Sequence, residues 1–383
     1  MKRFTFITAL AIVASFTIGG GRALAYPQFQ LSRDQTCTSC HLGPEGGGLL
    51  SENGDVFVEN NSQYGQSAAF FYDKFKLPSW LTLGGDLRAA YGYDRTPQQY
   101  LIGFPMQFDL YASAKLAKHF RFTVTAGYRP PEVGNEAATY VWSREHYLLW
   151  SQDPDGVKGW FVRIGRFMPI FGLRYAEHPT FTRAYGGTPL YSETYGAAVE
   201  YIDDKYEAHL TGFLKDPVID PVAHDNGVAL YAEWRLQPNV SIGVEGMATR
   251  SDDDRKFRGG VTAKYYLNGP DLLFMFEGQV VDQRISHDYG AELQQLVGEV
   301  TATKFLPMGM WLDVGLGHFD EDLRIAGLDR DALDANLHWL TTSHFELLLT
   351  TRLELFNQGR TQPNGNGPAP TGGYALLQAH YRL

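Results

Sequence analysis

Cys37, Cys40 and His41 stand together in the run T-C-T-S-C-H, and the chain holds no other cysteine. C-x-x-C-H is the attachment pattern of a c-type haem. The two thiols add to the haem vinyl groups and tether the macrocycle. The histidine that follows sits under the iron as its proximal ligand. A bare C-x-x-C disulfide and half of a zinc site are the alternatives. A structural zinc wants four protein ligands, and no second cysteine pair is present to complete the set. The pattern predicts one covalent haem c on Cys37 and Cys40, with His41 on the iron. Between residues 26 and 79 there is no methionine and no second histidine. A sixth iron ligand must therefore come from another kind of group or from the rest of the chain.

The segments around this motif set its compartment. Residues 1–25 begin with Lys2 and Arg3, continue through an apolar run from Phe4 to Ile18, and end in Ala23-Leu24-Ala25. That order predicts a cleaved secretory signal peptide. Its loss removes Lys2, Arg3 and Arg22 from 33 basic residues, leaving 30 against 43 acids, a net charge near −13. Such a surface excludes nucleic acid as a partner. Residues 26–79 are expected to form a small haem-carrying segment with a G-P-E-G-G-G run at Gly43–Gly48. A shell of that size needs a cofactor or a partner to stay folded.

From Trp80 to the end the pattern has period two. Leu81, Leu83, Leu87, Ala89, Tyr91 and Tyr93 share one face, with Thr82, Asp86 and Arg88 on the other. Phe104, Met106, Phe108, Leu110, Ala112, Ala114 and Leu116 then alternate with Gln107, Asp109, Tyr111, Ser113 and Lys115. Continued along the chain, the alternation predicts strands over 80–93, 104–116, 120–129, 141–150, 160–167, 194–202, 205–214 and 227–236. A second half follows over 240–249, 257–267, 272–282, 293–305, 310–318, 331–340, 344–355 and 374–383. The connections alternate short and long. No later run reaches the ~18 apolar residues of a membrane-crossing helix. With 22 Tyr, 24 Phe, 7 Trp and 41 Gly, the expectation is an all-β protein. It would be a 16-stranded transmembrane outer-membrane β-barrel over 80–383, with a short N-terminal monohaem c-type cytochrome segment over 26–79. A soluble sandwich or propeller fails, because sixteen strands with one uniformly apolar face would overfill its core. An even strand number puts both termini on the periplasmic side of a Gram-negative outer membrane. The haem segment would then lie at the periplasmic mouth or in the lumen.

These residues resemble a known family, the outer-membrane fusions of a monohaem cytochrome with a porin found in iron-oxidising bacteria. Ala25, Pro27 and Phe29 match that family's A-x-P-x-F start, and Cys37 follows at its spacing. After the haem motif the family shows Pro-Leu-Asn and then Phe-Gly-Arg, whereas this chain has Gly43-Pro44-Glu45 and a glycine run. The resemblance implies that Cys37, Cys40 and His41 hold the haem. It further implies an electron carrier between extracellular Fe(II), or another reductant, and a periplasmic cytochrome or cupredoxin, in contact with outer-membrane lipid. Any catalysis would be oxidation of Fe(II), an oxidoreductase activity on a metal ion. The alternative is a diffusion porin whose haem segment senses redox state or gates the channel.

Secondary features add candidates. Y-P-x-F from Tyr26 resembles the start of cytochrome f, which implies the α-amino group of Tyr26 as a sixth ligand. His209, His338, Met247 and Met275 are lumen-facing rivals, or plain lumen side chains. Gly165–Arg174 resembles the segment where porin chains enter an in-folded constriction loop, and it precedes the longest connection, 168–193. Arg163, Arg166, Arg174 and Arg183 could gather near haem propionates, or pair with Glu200, Glu207 and Glu233. Asp252-Asp253-Asp254 and Asp320-Glu321-Asp322 are acidic loop clusters, suited to hard cations or merely solvated.

Overall fold

The computed structural model describes residues 27–94, 100–128, 141–177, 179–189, 192–216, 225–252, 254–285, 291–356 and 372–383. The signal-peptide prediction and Tyr26 lie outside these residues. Sixteen strands form the wall: β1 (Leu81–Asp94), β2 (Tyr100–Ala117), β3 (Phe120–Tyr128), β4 (Val141–Ser151), β5 (Gly159–Phe167), β6 (Thr194–Ile202), β7 (Tyr206–Leu214) and β8 (Asn226–Gln237). The rest are β9 (Val240–Arg250), β10 (Asp254–Leu267), β11 (Leu272–Ile285), β12 (Ala291–Leu306), β13 (Met310–Asp320), β14 (Asp329–Thr342), β15 (Phe345–Phe356) and β16 (Gly372–Arg382). Each strand pairs antiparallel with its sequence neighbour, and β1 also pairs with β16 from Asp86↔Arg382 to Asp94↔Tyr374. Closure leaves no open strand edge to recruit another chain.

Alternation decides which face goes where. Leu210 is 51 % exposed while His209 beside it is 1 % exposed. Val199, Val244, Phe276, Leu316 and Leu349 are likewise exposed, and Glu200, Glu245, Glu277 and Thr350 are buried. A soluble sheet does the reverse, covering its apolar face and wetting its polar one. An apolar outside around a charged inside is the pattern of a barrel bathed in lipid. The strands are 9 to 18 residues long, and about 9–11 residues suffice to span a membrane at the usual tilt.

Three strand expectations change. The strands run on at the long-loop end; β10 starts at Asp254, which leaves only three residues, 251–253, between it and β9. That connection is short, against the expected alternation. Cross-strand pairing of Asp254 with Ile285 holds the extension in place. Met106 also moves. Register shifts where Arg88 faces Gln107 and Ala89 faces Pro105, so Met106 is the extra residue of a β-bulge. The bulge turns its side chain from the apolar face toward the lumen, where it lines the main cavity.

Inside the barrel sits the segment before β1, with three short helices: α1 (Pro27–Ser32), α2 (Cys37–Cys40) and α3 (Glu52–Asn61). It caps the end with the short turns. Arg33 grips Asp271 in the β10–β11 turn at 3.0 and 3.2 Å. Thr38 donates to the Val157 carbonyl at 2.5 Å, Gln63 accepts from the Trp339 indole at 2.9 Å, and Tyr64 bridges to Thr342. Connection 168–193, which carries α4 (Phe181–Ala184), folds into the lumen and reaches the far wall. There the Leu173 amide donates to Glu277 at 2.9 Å. Plug, loop and wall meet in one apolar cluster of Phe29, Leu31, Val58, Leu173, Tyr175, Met275, Phe305 and Trp311.

Candidate functional site

The C-x-x-C stretch is helical because its own neighbours cap it. Thr36 accepts from the Ser39 amide at 3.2 Å, and Ser39 accepts from the Thr36 amide at 3.1 Å, a reciprocal capping box. One turn of helix sets Cys37 and Cys40 three residues apart on a single face. His41 closes the helix in extended conformation, its amide bonded to the Cys37 carbonyl at 2.8 Å. The chain then loops through Gly46, Gly47 and Gly48, all with positive φ of 73°, 82° and 58°. A Cβ on Gly46 would stand 3.4 Å from the Cys37 sulfur and 3.9 Å from the His41 ring. This cradle is open because the residue is glycine. Behind it, Gly54 lets α3 lie directly on α2, since a Cβ there would sit 2.1 Å from the Cys40 carbonyl oxygen.

The two thiols and His41 face one lumen cavity of about 410 Å³, within the usual range for a cofactor-sized ligand, about 300–1,000 Å³. Neither cysteine is in a disulfide. Burial pushes the Cys37 thiol up to about 11 and raises Cys40 as well, so both are neutral as free thiols. Cys37 also accepts from Gln30 Nε2 at 3.2 Å. His41 is 6 % exposed, and neither of its ring nitrogens has a hydrogen-bond partner. Burial pushes the imidazole down to about 4; the backbone of Gly47 and Leu49 lies outside hydrogen-bond geometry and only softens that shift. A buried, neutral imidazole with both nitrogens idle costs stability unless something takes it as a ligand. The donor set fits a c-type haem: two thiols on one face, an uncommitted imidazole, and room in front of them.

The expected rivals for the sixth position do not line this cavity. Both nitrogens of His209 are taken, by Glu200 at 3.1 Å and Glu207 at 2.7 Å. His338 bonds Glu346 at 2.9 Å. Met247 packs with Phe171 and Phe213, and Met275 with the plug cluster. The thioethers on the cavity wall are Met106 and Met168. Sequence reasoning missed both; Pro105, inside an otherwise regular strand, is the signal that could have flagged the bulge.

The arginines mostly pair. Arg163 binds Glu200 at 2.8 Å and Glu45 at 2.6 Å. Arg166 binds Asp216, and Arg174 binds Glu207 at 2.5 Å. Arg183 donates to the carbonyls of Tyr175, Ala176 and Thr188, while Glu233 pairs with Lys264 at 2.6 Å. Arg174 and Arg183 still line the cavity, together with Arg88, Arg144 and Arg382. The same wall carries Glu45, Asp86, Asp109, Glu145 and Glu193, and Arg144 pairs with Asp109 and Glu193, so its charges are mixed. Glu45 was also missed: a lone acid amid glycines, it ties the loop after the C-x-x-C-H motif to Arg163 and to the Tyr147 hydroxyl at 2.8 Å. The acidic loop clusters assemble no site among the described residues. Asp322 is held by Arg324 at 2.9 Å, Asp254 by Lys256 at 2.7 Å, and Asp252 faces Lys215 at 3.9 Å.

Comparison with solved structures fits the wall of this molecule. An anion-selective porin from Comamonas acidovorans superposes with a TM-score of 0.59 at 11 % identity, over 79 % of this chain and 99 % of that one. The fold is that of an outer-membrane porin. OprB of Pseudomonas putida in its high-pH structure gives 0.59 at 10 % identity, over 79 % and 94 %. OmpF of Salmonella typhi, in complex with daunomycin, gives 0.58 at 13 % identity, over 79 % and 97 %. No protein-family model and no curated protein matches the sequence.

Proposed function

We propose that this porin-like barrel is an outer-membrane cytochrome–porin that passes electrons between an extracellular donor, Fe(II), and a periplasmic cytochrome or cupredoxin. The observation that carries the proposal is the placement of Cys37, Cys40 and His41 on one cavity inside a closed barrel, with both His41 nitrogens unpartnered. Residues 1–25 act as the signal, 26–79 as the haem segment and 80–383 as the barrel. The short-turn end, with both termini, faces the periplasm. Haem c supplies one-electron exchange when bound.

The chain's own residues do the rest. Cys37 and Cys40 would tether the group. His41, kept neutral by burial, would offer a ring nitrogen to the iron. Met106 and Met168, the thioethers on the cavity wall among the described residues, would be the soft side chains available to the group, and the cavity arginines would be its cationic neighbours. Gln30, Glu45 and Gly54 hold the motif in place. The closed wall keeps lipid out, and the plug and the in-folded loop narrow the lumen.

The test is the spectrum of the purified protein, oxidised and then reduced anaerobically with Fe(II). A haem-type Soret band that shifts on Fe(II) addition, with electron transfer to an acceptor sealed inside proteoliposomes, is the expected result. Free thiols at both cysteines and no Soret band overturn it. The resemblance of the wall to an anion-selective porin favours a second reading, a diffusion porin gated by its haem segment. Solute-driven liposome swelling without electron transfer would select that one.

A further inference from the structure

A second constellation of ligating side chains lies on the lumen wall beneath the in-folded loop. Glu177 comes from that loop, Asp313 from β13 and His338 from β14. One ligand atom from each falls within 4.8 Å of the others. His338 Nε2 is 3.3 Å from Asp313 Oδ2 and 3.7 Å from Glu177 Oε1. His338 is 0 % exposed and Asp313 5 %.

The surroundings aim these atoms at one point. His338 Nδ1 lies 2.9 Å from Glu346 Oε1. With the proton on Nδ1, that bond turns the Nε2 lone pair toward the carboxylates, the usual arrangement of a metal-binding histidine. The imidazole stacks on Trp311 at 4.3 Å between centroids and 11° between planes, which fixes its tilt. Thr303 donates to Asp313 Oδ1, so Oδ2 is the oxygen left to face the cluster, and it accepts no hydrogen bond. Its near polar neighbour is the His338 ring, with Nε2 3.3 Å away, and a cation between ring and carboxylate is a partner that would satisfy this buried oxygen.

We propose that Glu177, Asp313 and His338 bind a divalent first-row transition cation of the Fe²⁺ or Mn²⁺ type. Two carboxylates favour hard cations and the imidazole disfavours Ca²⁺ and Mg²⁺, which prefer all-oxygen sets. Glu346 extends the arrangement. It also meets His380 Nδ1 at 3.2 Å and Arg382 at 3.0 Å, and both of those residues line the cavity that holds the haem motif. A cation here would be joined to that cavity through His338, Glu346 and His380. The site does not depend on haem attachment, so its failure would leave the electron-transfer proposal standing, and the reverse.

Electron paramagnetic resonance of free Mn²⁺, titrated with the full-length protein in detergent, tests the site. The expected result is one bound Mn²⁺ per chain, displaced by anaerobic Fe²⁺ but not by an equal concentration of Ca²⁺. Asp313→Asn and Glu177→Gln should each weaken binding about 10-fold or more. Glu177 lies on a loop, so its variant leaves the strand ladder intact, and heat-modifiable gel mobility verifies the fold of both. No Mn²⁺ bound at millimolar concentration, or equal binding in folded variants, would overturn the proposal. The triad would then be a protonated histidine sandwiched between carboxylates.

Discussion

Phe29→Ala isolates what keeps the plug in the barrel. Phe29 is 2 % exposed. Its ring lies 5.4 Å from Phe305 and 5.7 Å from Trp311 on the wall, and 6.0 Å from Phe57 in α3. It is therefore both a core residue of the plug and its main apolar contact with β12 and β13. Truncating a buried phenylalanine costs about 3–5 kcal/mol, as lost transfer energy plus the cavity left behind. At about 1.4 kcal/mol per factor of ten, the docked plug should open roughly a hundred to several thousand times more often. Amide hydrogen exchange measures that opening directly. Amides of α1 and α3 should lose protection by this factor while those of β5 to β9 keep theirs, and single-channel recordings should show more frequent open events. Less than a tenfold change in α1 and α3, or equal loss in the strands, would refute Phe29 as the anchor.

Three other perturbations address the motif and its supports. Cys37→Ala combined with Cys40→Ala should abolish haem staining on denaturing gels while leaving the heat-modifiable barrel band. Staining that persists would mean the group is held elsewhere. Glu45→Gln removes the charge that ties the loop after the C-x-x-C-H motif to Arg163 at 2.6 Å. It should cost the plug about 1.5–3 kcal/mol, read as a lower urea midpoint for protease protection of residues 27–66. Asp55 in α3 is pushed up to about 7 by burial and by its neighbours Glu59 and Glu52. The docked plug therefore binds this proton more tightly than the released chain does. Docking is strongest below the ordinary carboxylate value of 3.8, weakens between 3.8 and 7, and is weakest above 7. Asp55→Asn should flatten that slope in a protease-protection series from pH 3 to pH 8; an unchanged slope would assign it to another group.

Much of this molecule is written in local order. Alternation of Leu210 with His209, or of Val244 with Glu245, repeats every two residues, and a strand's two faces have that same period. Strand number, the outward apolar face and the one-turn spacing of Cys37, Cys40 and His41 follow from the chain alone. Partnership between distant residues does not. Glu45 meets Arg163 at a separation of 118 positions, and no local pattern records that. Met106 was misplaced because a single bulge inverts the alternation, and the bulge is settled by pairing with β1. The gathering of Glu177, Asp313 and His338 from a loop and two strands, and the seating of Phe29 against Trp311, exist only once the cylinder has closed. Periodicity is a property of neighbours along the chain, whereas register, closure and the filling of the lumen depend on which distant groups are brought within contact range.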